Sequence, residues 1–85
     1  MPEMPRYFLN IEHFDGARVL DDNGSDYADL NAAKEDARLT VIEMIYEAMR
    51  DDKARVPLRI VVLDDSGTEA AQISSHSVLP PELQN

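Results

Sequence analysis

His76 stands in the run Ser74-Ser75-His76-Ser77, and a serine beside a histidine is the raw material of a nucleophile-and-base pair. On a strand, neighbouring side chains point to opposite faces, so only alternate positions such as Ser74 and His76 share one. Such a pair still needs a third group to orient the imidazole. The plainer reading is hydroxyls and a histidine on a polar edge strand. His13, the other histidine, has no second histidine or carboxylate at a ligand spacing. The chain has no Gly-rich phosphate loop, no G-x-S-x-G and no H-E-x-x-H. Its many carboxylates offer acid/base pairs without singling one out. The expectation is a chain with no catalytic residue and no cofactor, not an enzyme.

Two acidic stretches share a pattern: Asp21-Asp22-Asn23-Gly24-Ser25 and Asp64-Asp65-Ser66-Gly67-Thr68. A calcium loop needs oxygen ligands at alternating positions, with glycine sixth. Gly24 at the sixth place puts Val19 at the first, and Gly67 puts Val62 there, so both frames fail. Asp and Asn bond their own following amides, and glycine accepts the left-handed conformation, so both stretches read as turns. No metal ligand is expected.

The elements that would position any site follow from the spacing. Arg6 to Phe14 is aromatic and apolar-rich and reads as a strand. Asp15-Gly16 predicts a two-residue hairpin turn, with Ala17 to Asp21 returning as the second strand. That register sets Phe14 opposite Ala17, Glu12 opposite Val19 and Ile11 opposite Leu20. Asp29 is the expected N-cap of a helix from Leu30 to about Asp51, which holds no Gly or Pro. Pro57 to Asp65 is the clearest strand, and Glu69 to Val78 a weaker last one. The order strand, strand, helix, strand, strand predicts an α+β fold: a four-stranded antiparallel sheet with one long helix on one face, β-β-α-β-β. If the first strand lies between the second and the third, every neighbour is antiparallel and the spatial order is 2-1-3-4. One domain spans residues 4–78, and residues 79–85 form a polar, Pro-containing tail.

The helix has two apolar stripes. Leu30, Ala33, Ala37, Val41, Met44 and Ala48 form one, small enough in its first half to sit close to a sheet. Leu39, Ile42, Tyr46 and Met49 form the other, roughly opposite. A helix in a two-layer domain buries one face, so the second stripe meets solvent, a partner, or the chain's own Val78, Leu79 and Leu83. The far face of the sheet raises the same question, with Phe8, Phe14, Val19, Val61 and Leu63 between polar residues. The candidate interface is therefore Leu39, Ile42, Tyr46, Met49, Phe8, Phe14, Val19 and Val61, and the simplest partner is a second copy.

Charge narrows the partners. With 8 Lys and Arg against 17 Asp and Glu, the 85-residue chain carries −9 at pH 7. That balance repels phosphate backbones and anionic membrane surfaces, so neither nucleic acid nor membrane is an expected partner. It fits solubility, or a basic protein partner. There is no cysteine, no long apolar run and no signal-peptide pattern at the start. A soluble cytoplasmic protein is the expectation.

Met4, Pro5, Arg6, Tyr7 and Phe8, followed by Asp15-Gly16, the Asp21 to Gly24 turn, Asp29-Leu30 with Ala33 and Ala37, and Asp64 to Gly67, make a chain-long pattern. It resembles a bacterial family of short domains of unknown function that open with M-P-R-Y-F. The departures are the extra Met1-Pro2-Glu3 and a more polar final strand. The resemblance implies the same order of elements and carries no catalytic residue. The leading reading is a small acidic, non-enzymatic interaction or regulatory module acting as a homodimer. Beside it stand an antitoxin-like or inhibitor subunit that binds a basic protein, and a small enzyme using carboxylates or His76.

Overall fold

Asp29 is extended, and its carboxylate accepts a hydrogen bond from the Ala32 amide at 2.8 Å, which satisfies one of the free donors of the helix that follows. In the computed structural model, which describes residues 4–51 and 56–78, that helix is α1 (Leu30–Arg50). Arg50 in its last turn faces the negative end of the helix dipole, and the Asp51 amide closes the ladder on the Glu47 carbonyl. The strands are β1 (Arg6–His13), β2 (Arg18–Val19), β3 (Ser25–Asp26), β4 (Pro57–Leu63) and β5 (Glu69–Ser74), and a short helix, α2 (Ser75–Val78), follows the last. The Leu79 to Asn85 tail and Met1 to Glu3 lie outside the described residues.

The sheet runs β2-β1-β4-β5 with all neighbours antiparallel, the order expected, and β3 pairs with the other end of β1. Between β2 and β3, side chains replace the ladder. The Asn10 amide oxygen accepts from the Asp21 amide at 2.9 Å, and the Asp21 carboxylate accepts from Leu9 N at 3.2 Å and Gly24 N at 2.9 Å. Asp21 thus stitches its own turn to the first strand.

One face of the sheet carries Tyr7, Leu9 and Ile11 from β1, Ile60 and Val62 from β4, and Ala71 and Ile73 from β5. Ala33, Ala37 and Val41 of α1 close on Ile60 and Val62, and all five are fully buried. Alanines at the contact bring the helix axis near the sheet, which is what the small first stripe predicts. Ile45 and Val78 join the margin of this core. Each large apolar side chain so buried stabilises the fold by about 1.5–3 kcal/mol.

Three details differ from expectation. The first hairpin has a three-residue loop: Gly16 N bonds His13 O, His13 N bonds Ala17 O, and Gly16 takes φ +90°. A two-residue type I′ turn needs positive φ at Asp15 as well, and among the described residues only glycines have it. The Asp15 carboxylate instead accepts from Ala17 N at 2.9 Å. The register moves by one, so Val19 lies opposite Ile11 and Arg18 opposite Glu12. Val19 therefore shares a face with Ile11, not with Phe8. Phe14 leaves the strand and stands in the loop. Lastly, the final strand ends at Ser74, where α2 begins.

The β4–β5 hairpin repeats the first loop. Gly67 N bonds Asp64 O, Asp64 N bonds Thr68 O, and Gly67 has φ +85°. The twin of the Asp64–Thr68 turn is thus His13–Ala17, while Asp21–Ser25 is a different turn with a similar sequence.

Candidate functional site

Along the outer side of α1, Leu39, Tyr46 and Met49 are 47, 61 and 71% exposed, and Ile42 is half-buried beside them. The stripe expected from the spacing is therefore a ridge on the side of the helix away from the sheet. Glu35 and Arg38 stand on the same side, where the guanidinium donates two bonds to the carboxylate at 2.6 and 3.1 Å. That pair holds the Glu35 carboxyl below its ordinary range, the hydrogen bond from Arg38 being the main cause. Glu43, Tyr46, Glu47 and Arg50 line a shallow depression at the other end of the ridge. Val78 packs at the core margin; Leu79 and Leu83, the other candidate covers, lie outside the described residues.

The far face of the sheet is divided. Phe8, Val61 and Leu63 are half-buried on it. At its other end Glu12 takes two cations, Arg59 at 3.2 Å and Arg18 at 3.5 Å, and Arg59 also donates to Gln72 at 3.1 Å. This chain of polar groups crosses β2, β1, β4 and β5, so this end of the face is polar. The register that lines it up was not legible without the three-residue loop. Phe14 is 65% exposed in that loop, away from Phe8 and Val61.

The histidines are placed differently from each other. His13 is buried at the end of β1, with no hydrogen-bond partner for Nδ1, and His76 is exposed on α2. The serines around His76 bind backbone. Ser75 Oγ donates to the Pro57 carbonyl, Ser77 Oγ donates to the Ser74 carbonyl at 2.8 Å, and Ser74 Oγ accepts from Ser77 N at 3.3 Å. Among the described residues no group of three His, Asp or Glu is placed to hold a metal ion. No described helix is long and apolar enough to cross a membrane.

Tyr27 ties the helix to the sheet. Its ring is tilted against Tyr7 with centroids 6.2 Å apart, and its hydroxyl donates to Asp36 at 2.5 Å. Burial, then the Asp36 hydrogen bond and charge, push the phenol from 10.0 up to about 12. The folded protein therefore keeps a proton that the unfolded chain loses. The stabilisation is complete below pH 10.0 and is lost as pH rises towards about 12. In an absorbance titration one of the three tyrosines should ionise last, and Tyr27→Phe should remove that step and flatten the alkaline decline in stability.

A family model described as a domain of unknown function, DUF6894, matches residues 6–76. No curated protein and no solved structure matches the chain.

Proposed function

The chain belongs to the DUF6894 family, a domain of unknown function, and for it we propose the role of a small, acidic, non-enzymatic interaction module that works in the cytoplasm as a homodimer. The observation that supports this reading is the ridge of α1, where Leu39, Tyr46 and Met49 stand exposed on one helix of one small domain. Two such ridges packed across a two-fold axis bury each other's apolar surface, and a self-complementary contact of this kind needs only one patch. The Glu35–Arg38 pair and the charges of Glu43, Glu47 and Arg50 form its polar rim.

The test is light scattering after gel filtration. The expected particle has about twice the 9.6 kDa mass of the chain. Leu39→Glu combined with Tyr46→Glu should weaken association by about 2 kcal/mol or more, while surface positions of this kind change folding stability by only about 0.5 kcal/mol. A wild-type chain that stays monomeric at about 1 mM would sink the homodimer.

The acid excess favours a second reading, an inhibitor-like subunit that covers a basic protein surface. It requires salt-sensitive binding to a basic partner and needs no self-association.

A further inference from the structure

The Asp21–Gly24 turn and the Asp64–Thr68 turn come together at one end of the far sheet face. Phe8 and Leu63 pair there across β1 and β4. With Leu20, which is 60% exposed, they floor a shallow depression walled by Asp21, Asp22, Asp64 and Asp65. The four acids divide into two kinds. Asp21 accepts from Gly24 N and Leu9 N, and Asp64 Oδ1 accepts from Ser66 N, Ser66 Oγ and Thr68 N. These two hold the walls. Asp22 and Asp65 are exposed, and among the described residues no Lys or Arg forms an ion pair with any of the four.

The face is thus polarised. Its own cations, Arg18 and Arg59, share Glu12 at the opposite end. Arg6, which lines a neighbouring depression with Asp65, is held by Asp26 and the Asn23 carbonyl. The acidic end keeps an apolar floor and a negative rim with no ion pair among the described residues. We propose that this end of the sheet docks a short basic segment of a partner protein, with an apolar side chain on Phe8, Leu20 and Leu63 and flanking lysines or arginines at Asp22 and Asp65. Apolar burial supplies affinity, and the charge pairs supply orientation and reject anionic ligands. The surface gives the basic-partner reading a location, and it stands whether or not α1 dimerises.

The probe is a ten-residue capped peptide alternating lysine or arginine with leucine, titrated into the isotope-labelled full chain and followed by amide chemical shifts. Shifts are expected at Phe8, Leu20, Leu63 and Gly67, with affinity falling as salt rises. Asp22→Asn combined with Asp65→Asn should weaken binding by about fivefold. A peptide with serine for leucine should bind more weakly, and Asp15→Asn combined with Asp51→Asn, two acids outside this depression, should leave the affinity unchanged. Shifts that map elsewhere, or an equal loss in that control variant, would overturn the surface while leaving the basic-partner reading intact. No binding of the basic peptide at about 1 mM would remove both.

Discussion

Replacing Gly24 by alanine is expected to cost about 2–4 kcal/mol of folding stability. Gly24 has φ +71°, a region that side-chain-bearing residues enter at a cost of about 1–2 kcal/mol. It is also crowded: a Cβ there would stand 2.9 Å from Phe8 Cε2, 2.9 Å from the Tyr7 carbonyl oxygen and 3.0 Å from Arg6 Cγ. The Phe8 ring and the Arg6 stem can give way, but the Tyr7 oxygen belongs to the backbone of β1 where it pairs with Ser25. Relief therefore lifts the turn off the strand. That movement strains the Asp21 bonds to Gly24 N and Leu9 N and the Arg6 bond to the Asn23 carbonyl. Gly67→Ala is the control. Gly67 has φ +85° with nothing within 4 Å of an added Cβ, so only the conformational cost remains, about 1 kcal/mol. Urea melts of the two variants separate the terms. If Gly24→Ala costs no more than Gly67→Ala, the close approach of the turn to β1 is not what demands glycine.

Turns of this kind mark the limit of what the sequence makes legible. The helix was readable almost to the residue, because its determinants are local: a capping Asp29, no Gly or Pro, and apolar residues at helical spacing. The central strands and their order were readable because β-branched runs and the antiparallel rule leave few arrangements. The first hairpin was not. Asp15-Gly16 serves a two-residue turn and a three-residue loop equally well, and the choice moves Val19 to the other face of the sheet. β3 was invisible because Ser25-Asp26 has low strand propensity; it lies against β1 where Tyr27 N bonds the Pro5 carbonyl and Arg6 pairs with Asp26 at 3.2 Å. The end of the last strand was misread although its signal was present, since serine hydroxyls compete for backbone groups and break a ladder locally.

The candidate surfaces were legible in the same uneven way. Helical spacing separated Leu39, Tyr46 and Met49 from the core stripe, because that depends on one angle per residue. It did not place Ile45, which lies between the stripes and packs at the core margin. The meeting of the two acidic turns had no sequence signal at all. It follows from the pairing of Phe8 with Leu63, which sets the end of β4 beside the clasp of Asp21 on β1. The similarity of the two turns in sequence is unrelated to their being neighbours, since they are built differently.

The second large effect is expected at Ile60. Ile60→Ala should cost about 3–5 kcal/mol, the upper part of the range for such truncations. The side chain is fully buried at the centre of β4, with Ile11 and Ile73 paired on either side and Val41 of the helix in the same cluster. The size of the penalty depends on whether the surroundings can close the hole. Here β4 is held by ladders on both edges, and the helix already approaches through Ala33 and Ala37, so neither layer has room to settle inward. A domain of this length is stable by about 4–13 kcal/mol, so one truncation can remove much of the total. Val61→Ala, one residue along the same strand, provides the contrast. Val61 is half-buried on the far face between Asn10 and Gln72, and solvent can fill the space it leaves. Its loss should cost under about 1.5 kcal/mol. Denaturant unfolding of both variants, compared at equal m-value, reads the difference directly. A Val61→Ala cost equal to or above that of Ile60→Ala would mean that the two faces of β4 are reversed, and with them the side of the sheet on which the helix lies.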